Sequence, residues 1–374
     1  MKFKLYRFFI VELLKLCFMS TMILAICPEM YYTKIAVSED YNIVYQCDIE
    51  HSKDDFALTD NITDQLPFRR DAIMYQLRRD AVDIKSIKYV VAEGGLLMPC
   101  ESGVYDIDKN MVSDLLDGVG GEDIINMGGL LAFTIANTLR VKSLVVDPAS
   151  VDERSELASF FSHPVTRKKS LFHALVHKYL SKKYAESVNK NYDDLNIVFC
   201  HVGERNVSVA AHKKGRVVDV NQAYMGFGPM GFFETGTMPI SNVIDMMFKK
   251  HYTKDEMLNL INKNATFNYY LSTNSYDEIM EKAKNDKKTK LVFEVMAYQI
   301  SKEIASHYVS LDAEIDAIIL SGKIFSDNRF FKYISKQIGN LAPIVTYPQD
   351  YTIEAMIYNV LKVVNGEWKI KIYD

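Results

Sequence analysis

Hydrophobic residues near the start of the chain alternate with polar ones in short runs that are typical of β-strands. Three runs rich in Ile, Val and Tyr follow one another at Ile23–Ile26, Thr33–Val37 and Tyr41–Tyr45. β-branched and aromatic residues favour strands, and short polar connections favour tight turns. A second set of three lies about 170 residues later, at 196–201, 206–211 and 216–220. The two β-meanders indicate either a duplicated supersecondary unit or a coincidence, and the pattern alone leaves both open.

The rest of the chain alternates between helical and strand-like spacing. Helical spacing occurs at 108–117, 124–139, 171–189, 289–308 and 353–363, and strand-like runs at 88–91, 143–147, 315–320 and 344–347. The helix at 289–308 is predicted to carry on one face Leu291, Val295, Tyr298, Ile300 and Ile304. The charged segment 282–290 is predicted to be a solvated loop. Strands that alternate with helices after a meander indicate an α/β fold with a mixed sheet.

Composition narrows the class of protein. The chain has 374 residues, 48% of them hydrophobic and 12% aromatic, which fits a globular protein of two domains. A net charge of −4 argues against a nucleic-acid-binding surface. None of the five cysteines is in C-x-x-C spacing, so we expect neither a zinc site nor a disulfide framework. A reducing, cytoplasmic location is the simplest expectation.

The first 18 residues contain basic residues followed by an apolar run at 8–11, which resembles the start of a signal peptide. Glu12 and Lys15 interrupt that run, no A-x-A site follows, and the run is far shorter than the ~18–20 residues that span a bilayer. We therefore expect an N-terminal extension at 1–18 and no association with a membrane. It is either a short amphipathic helix or a segment before the true start, since Met19 and Met22 precede the first strand.

Eight sequence blocks occur in an order that points to a known family. They read EGGLLMPCESGVYDID, LVVDPASVDE, KSLFHALVHK, HVGERNVSVAAHKKGRVVDVNQA, GFGPMGFFETGTMP, YYLSTN, MAYQISKEIA and AIILSGKIF. Together they resemble the butyrate kinase family, among the acetate and propionate kinases, from about residue 23 to 367. The resemblance implies two ribonuclease-H-like domains of the actin/Hsp70/sugar-kinase-like kind, with mixed sheets and an interdomain cleft for nucleotide. It places one domain at 19–150 plus 353–374 and the other at 151–352.

The resemblance also implies a reaction. Members of the family transfer the γ-phosphoryl group of ATP, with Mg²⁺, to a short-chain carboxylate such as butyrate, and the products are an acyl phosphate and ADP. The same resemblance implies a homodimer, or a heterodimer with a paralogue. Phosphoryl transfer needs cations around the transferring group and backbone N–H groups close to the phosphates.

Several positions depart from the family's motifs. The first hairpin turn, close to N-P-G-S-T-S-T-K in the family, reads CPEMYYTK at 27–34. The arginine of G-R-G-G-L-L is replaced by Glu93, and the arginine of G-P-F-S-P-E-R-S-G-T-L-P by Glu234. The histidine of G-E-H is replaced by Asp123, and H-x-G-G-G has become HVGERN at 201–206. The resemblance therefore implies that both phosphate loops and both arginines are lost.

Other positions match the family's site. As remnants of the catalytic residues we identify Asp147, His173 and His201, and as remnants of the cofactor site Thr33, Gly203, Asn221 and Gly322. We expect no residue that ligates a metal directly. Each match also has an ordinary structural explanation, because a strand-end Asp caps the next segment and a helical His is often a satisfied core residue.

We thus expect a butyrate-kinase-like protein whose activity is lost or strongly reduced, with weak or no binding of ATP and Mg²⁺. We expect a cluster around the former phosphate site that comprises Glu29, Glu93, Glu204 and Glu234, with Tyr31 and Tyr32 filling part of the space. The alternative is a non-catalytic binding or regulatory protein that pairs with an active paralogue. A relic without a function is a third reading.

Overall fold

Two mixed β-sheets organise the part of the chain that the computed structural model describes, which is residues 20–52, 55, 61–160, 163, 167–262, 265–273 and 275–374. The expected N-terminal extension at 1–18 lies outside the described residues. Within those ranges, no helix combines the length and the apolar character that crossing a bilayer requires.

The first sheet has seven strands. They are β1 (Met22–Pro28), β2 (Tyr32–Glu39), β3 (Asn42–Glu50), β4 (Ile87–Glu93), β5 (Val104–Asp106), β6 (Lys142–Val146) and, at the end of the chain, β12 (Ile370–Lys371). Their order is β12-β5-β6-β4-β1-β2-β3, with an antiparallel β1-β2-β3 meander and parallel β1, β4 and β6. Six of the seven residues of β1 are buried, as expected for a strand covered on both faces.

The second sheet repeats this arrangement with five strands. They are β7 (Asn196–Val202), β8 (Val207–Lys213), β9 (Arg216–Val220), β10 (Ala317–Ser321) and β11 (Ile344–Tyr347), in the order β11-β10-β7-β8-β9. The β7-β8-β9 meander is antiparallel, and β10 is parallel to both β7 and β11. The two predicted meanders therefore lie in separate sheets of equivalent topology, and the predicted α/β fold with mixed sheets is confirmed.

Helices cover both sheets. They are α1 (Leu66–Arg79), α2 (Lys109–Asp117), α3 (Asn126–Leu139), α4 (Glu156–Ser159), α5 (Ala174–Ser187), α6 (Ile240–Phe248), α7 (Lys254–Asn262), α8 (Thr266–Leu271), α9 (Tyr276–Asn285), α10 (Lys287–Ser310), α11 (Asn328–Ile338) and α12 (Thr352–Val364). Helix α12 returns to the first sheet, where Met356 and Val360 pack with Ile23, Val91 and Val146. This packing agrees with the assignment of 353–374 to the first domain, although the domain boundaries themselves stay a prediction.

Two details of the sequence analysis are wrong. Segment 282–290 is not a loop but the end of α9 and the start of α10, with Asp286 between the two helices. The Asp286 carboxylate caps α10, because it accepts a hydrogen bond from the backbone N–H of Thr289 at 2.6 Å. In α10 the residues Leu291, Val295 and Tyr298 are exposed. The buried face instead carries Val292, Phe293, Met296, Ala297, Ile300 and Ile304, a set that follows the helical repeat more closely.

Candidate active site

A cavity of about 610 Å³ opens between the two sheets, where the carboxyl ends of four strands meet. Its lining includes Pro28 at the end of β1, Glu93 at the end of β4, Val202 at the end of β7 and Gly322 just after β10. In α/β sheets, ligands bind beyond the carboxyl ends of the strands. The cavity is therefore the candidate active site.

The cavity brings together about two thirds of the residues that the sequence singled out. Those that line it are Tyr31, Tyr32, Glu29, Glu93, His173, His201, Gly203, Glu204 and Gly322. Glu234 does not line it, but Asn206, which does, donates a hydrogen bond to the Glu234 carboxylate at 3.1 Å. The expected carboxylate cluster is thus three residues at the surface of the cavity and one residue behind it.

Thr33, Asp147 and Asn221 are not among the lining residues, and each has structural partners. The Thr33 hydroxyl lies 2.8 Å from Nε2 of His51 and accepts a hydrogen bond from Arg69 at 2.9 Å. The Asp147 carboxylate accepts from the Ser102 hydroxyl at 2.6 Å and from the Gly103 N–H at 2.8 Å.

The buried Asn221 side chain bonds only to backbone groups among the contacts described. It accepts from the Val209 N–H and donates to the carbonyl oxygens of Val207 and Phe227. Its position, like those of Thr33 and Asp147, therefore favours the structural explanation, and their roles as site remnants stay predictions.

The backbone conformation and close packing at position 322 require glycine. Its φ is +120°, and a Cβ at this position would lie 2.2 Å from the carbonyl oxygen of Val202. A side chain there would collide with the backbone of β7, so the fold alone requires glycine. The retention of Gly322 therefore says nothing about nucleotide binding.

His173 and His201 meet at the cavity, with ring centroids 4.6 Å apart. Burial lowers the pKa of His201 to about 4, and burial together with His201 and Arg205 lowers the pKa of His173 far below its ordinary value. Both imidazoles are thus neutral at pH 7. The space above Gly203 is filled by His173, since a Cβ on Gly203 would lie 2.8 Å from its Nε2.

A chain of buried hydrogen bonds runs from His173 at the cavity to Tyr192. Nδ1 of His173 and Nε2 of His177 both lie 2.8 Å from the hydroxyl oxygen of Ser208. Nδ1 of His177 lies 3.3 Å from Nε2 of His212, whose Nδ1 lies 2.6 Å from the hydroxyl of Tyr192. The sequence analysis missed this network, although His173 and His177 are four residues apart and so share a helix face.

Glu93 lies in the wall of the cavity, and one of its carboxyl oxygens lacks a hydrogen-bond partner among the described residues. Its side chain is buried, and this oxygen is Oε1. Burial, together with the negative charges of Asp350 and Asp123, raises the pKa of Glu93 to about 8. Burial and repulsion from Glu204 likewise raise the pKa of Glu29 well above its ordinary value.

Arg205, in the turn between β7 and β8, is held by two carboxylates. Its Nη2 lies 2.6 Å from Oδ1 of Asp123, and its Nη1 lies 3.7 Å from Oε1 of Glu234. Burial alone would lower the pKa of Arg205, but Asp123 and Glu234 raise it well above its ordinary value. Arg205 is therefore a permanent cation whose charge is already matched by residues of this chain.

Two further contacts connect opposite sides of the cavity. Lys34 of β2 forms an ion pair with Asp350, and despite burial this pairing keeps the pKa of Asp350 below its usual range. The Tyr32 hydroxyl donates a hydrogen bond to the Glu204 carboxylate. Lys323 lies at the mouth, mostly exposed, 3.6 Å from Asp277.

The turn between β1 and β2 is held in place by hydrogen bonds from the buried Arg69, which the sequence analysis did not identify. Arg69 of α1 donates to the carbonyl oxygens of Tyr32 and Met30, both at 3.1 Å. These hydrogen bonds fix the turn that corresponds, by resemblance, to the family's first phosphate loop. In this chain Glu29, Tyr31 and Tyr32 of that turn line the cavity.

The chain shares its fold with solved structures of acetate and propionate kinases. It superposes on the acetate kinase of Porphyromonas gingivalis with a TM-score of 0.73 at 14% identity, covering 92% of this chain and 100% of that chain. It superposes on a propionate kinase from Francisella tularensis with a TM-score of 0.72 at 14% identity, covering 90% of this chain and 98% of that chain. At such identities the likeness shows the fold.

Sequence comparison shows the family. Residues 160–338 match the acetokinase family. The chain is 36% identical over 352 residues to butyrate kinase 2 of Clostridium acetobutylicum, covering 94% of this chain and 99% of the relative. It is 35% identical over 356 residues to a probable butyrate kinase of Listeria monocytogenes, covering 95% of this chain and 100% of the relative. The chain belongs to the acetokinase family and is a butyrate-kinase-like protein, as the sequence blocks implied.

Proposed function

We propose that this butyrate-kinase-like protein keeps the family's fold and cleft but forms acyl phosphate from ATP and a short-chain carboxylate slowly or not at all. One observation carries the proposal. The two positions that the resemblance assigns to arginines hold Glu93 and Glu234, and both carboxyl groups are buried. A cation that would stabilise the transferring phosphoryl group is replaced at both positions by an acid.

The remaining cations near the cavity support this proposal. Arg205 is neutralised by Asp123 and Glu234, Lys34 by Asp350, and Lys323 is mostly exposed. One charge pair at 4 Å is worth ~4 kcal/mol at an effective dielectric constant near 20, and each 1.36 kcal/mol is tenfold in rate. Burial raises the pKa of both Glu93 and Glu234 to about 8, so at pH 7 these positions supply no cation. Loss of two such charge pairs beside the reacting group would slow phosphoryl transfer by several orders of magnitude, even after a large discount for solvent.

The residues of the cleft do not fit a bound Mg-nucleotide. Phosphates require backbone N–H groups that can be approached closely, and the loop at 203–206 now carries Glu204, which accepts from Tyr32. Across the described ranges, no group of three or more His, Cys, Asp or Glu side chains is arranged to hold a metal ion. We accordingly propose that binding of ATP and Mg²⁺ is weak or absent, and no catalytic step is assigned to them.

Trapping of acyl phosphate tests the proposal. The protein is incubated with ATP, Mg²⁺, butyrate and hydroxylamine, with butyrate kinase 2 of Clostridium acetobutylicum as the positive control. We expect no hydroxamate above a heat-killed sample. The double variant Glu93→Arg/Glu234→Arg should also stay inactive, because the phosphate loops remain altered. Turnover comparable to that of the control enzyme would refute the proposal.

Pairing with an active paralogue, dimerisation and a cytoplasmic location stay predictions of the sequence analysis. The described contacts favour none of them over its alternatives.

A further inference from the structure

We propose that the cleft binds a small organic ammonium ion with an apolar chain, and that the carboxylate of Glu93 is its anionic partner. The ligand is thus opposite in charge to the carboxylate that the family's name would suggest. This inference goes beyond the proposed function, because it concerns a ligand and not turnover. Binding can be measured without nucleotide, so failure of the inference and failure of the proposed function are separate results.

Glu93 supplies the first step. The residue is 8% exposed and lines the cavity, and among the described residues its Oε1 has no hydrogen-bond donor. Buried polar atoms in folded proteins nearly always have a partner, and an unpaired one is costly. A ligand that brings an N–H donor to this wall satisfies the oxygen, and a cationic donor also stabilises the ionised form of Glu93.

The charge of the lining supplies the second step. Acidic residues outnumber basic residues in the lining of the cavity. The acidic residues are Glu29, Asp48, Glu50, Glu93, Glu204 and Asp350, and the basic residues are Lys34, Arg205 and Lys323. Arg205 and Lys34 are held by Asp123 and Asp350, respectively. Even without Glu29 and Glu93, whose pKa values are raised, four carboxylates remain against three cations. The excess charge in the cavity is therefore negative, and it attracts cations and repels anions.

The walls define the rest of the ligand. Apolar and aromatic side chains also line the cavity, among them Ile124, Ile125, Val176, Tyr224 and Phe232. Aromatic rings attract organic cations through their faces, and apolar walls favour an alkyl or aryl chain. A bare metal ion fits less well, because the described residues contain no group of three metal-ligating side chains suited to one.

A change in the protonation of Glu93 should accompany binding of the ammonium ion. Burial, Asp350 and Asp123 favour the neutral form of Glu93 at pH 7, with Glu29, Cys27 and Tyr224 as further titratable neighbours. An ammonium ion bound to Glu93 favours the ionised form and so displaces a proton. Binding should therefore release protons to the buffer, and the apparent affinity should rise with pH.

Isothermal titration calorimetry of the full chain without nucleotide tests the proposal. The probes are n-butylammonium chloride and, as the isosteric anion, sodium butyrate. We expect n-butylammonium to bind with a Kd of about 1 mM or tighter, and butyrate at least about tenfold more weakly. Titrations in two buffers with different heats of ionisation should reveal proton release on binding of the ammonium ion.

Two variants distinguish a specific site from a diffuse negative field. Glu93→Gln removes the ionisable group but keeps its size, and it should weaken n-butylammonium binding at least about tenfold. Glu50→Gln removes an exposed carboxylate of the same cavity, which water and salt screen, and it should weaken binding only about twofold to threefold. Unfolding curves of both variants verify that they fold.

Three outcomes would overturn the proposal. The first is tighter binding of butyrate than of n-butylammonium, and the second is no detectable heat with n-butylammonium at about ten times the expected Kd. The third is an equal loss of affinity in Glu93→Gln and Glu50→Gln, which would indicate attraction by net charge alone.

Discussion

Arg205 and Asp123 form an ion pair across the cleft, with 2.6 Å between Nη2 and Oδ1. Arg205 belongs to the β7–β8 turn of the second sheet, and Asp123 lies just before α3 on the first. By resemblance, Asp123 replaces a histidine of the family, Glu234 replaces an arginine, and Arg205 lies in a former glycine loop. Arg205 thus pairs with Asp123 and lies near Glu234, at three positions where the resemblance implies a departure from the family, and its pair with Asp123 connects the two sides of the cleft.

The first prediction concerns the stability of this contact. Arg205→Met removes the cation and leaves Asp123 and Glu234 as buried acids without it. Loss of one partner of a buried pair costs about 3–5 kcal/mol, so the free energy of unfolding measured by urea titration should fall by that amount. In the matched control Lys249→Met, which breaks the exposed pair with Asp245, the loss should stay below about 1 kcal/mol. Similar losses in both variants would contradict the assignment of Arg205 as a structural connection.

Much of the fold could be predicted from the sequence, because the residues of most strands and helices favour the secondary structure that the fold gives them. The β1-β2-β3 and β7-β8-β9 runs carry strand-forming residues at strand spacing and tight turns between them. The prediction was wrong at 282–290, where charge suggested a loop. There Asp286 acts as a helix cap, and the lysines on either side lie on exposed helix faces.

The candidate site was less predictable, for a physical reason. The motifs identify which loops reach the cleft, but not which partners the substituted side chains find there. Asp123 and Arg205 are 82 residues apart, and only the relative placement of two sheets brings them together. Likewise, the sequence could not tell that the Asp147 carboxylate bonds to Ser102 and Gly103 instead of facing the cavity.

The second prediction concerns the pH dependence of stability through Glu93. Its pKa in the folded protein is about 8, above the ordinary value of 4.5. Between these pH values the folded state binds more protons than the unfolded state. This contribution to the free energy of unfolding is therefore complete below the unfolded pKa and is lost as pH rises through 8, by at most about 1.4 kcal/mol per pH unit.

Differential scanning calorimetry of Glu93→Gln tests this directly. Gln cannot ionise, so the melting temperature of the variant minus that of the wild type should become more positive from about pH 5 to about pH 8. Glu50→Gln, which changes an exposed carboxylate in the same way, is the control for a general effect of removing one acidic group. A flat difference for Glu93→Gln would mean that Glu93 is ionised in the folded protein at neutral pH.

The third prediction concerns Ser208, whose hydroxyl joins His173 to His177. Ser208→Ala leaves one nitrogen of each buried imidazole without this partner, so the free energy of unfolding should fall by about 2 kcal/mol or more. The control Ser301→Ala removes a buried hydroxyl that only donates to the carbonyl of Ala297 in its own helix, and it should cost about 1 kcal/mol or less. Equal costs would show that the histidine chain adds nothing to stability.

The same chain fixes the tautomers of its histidines. Burial keeps these imidazoles neutral at pH 7, and if the Tyr192 hydroxyl donates to His212, each following group in turn donates towards His173. His212, His177 and His173 should then all carry the proton on Nε2. Long-range ¹⁵N–¹H spectra report this pattern, and a proton on Nδ1 of His177 would contradict the proposed direction.

The last prediction concerns nucleotide. A ligand stabilises the folded state by RT ln(1 + [L]/Kd), so about 5 mM Mg-ATP with a Kd no tighter than that concentration contributes about 0.4 kcal/mol. For a chain of 374 residues this corresponds to a rise in melting temperature of about 1 °C or less. Magnesium chloride alone is the control for ionic effects. A rise of several degrees that saturates at micromolar Mg-ATP would require cations free to meet the phosphates. Arg205 would then have to leave Asp123, so the shift in Arg205→Met would show whether that exchange had occurred.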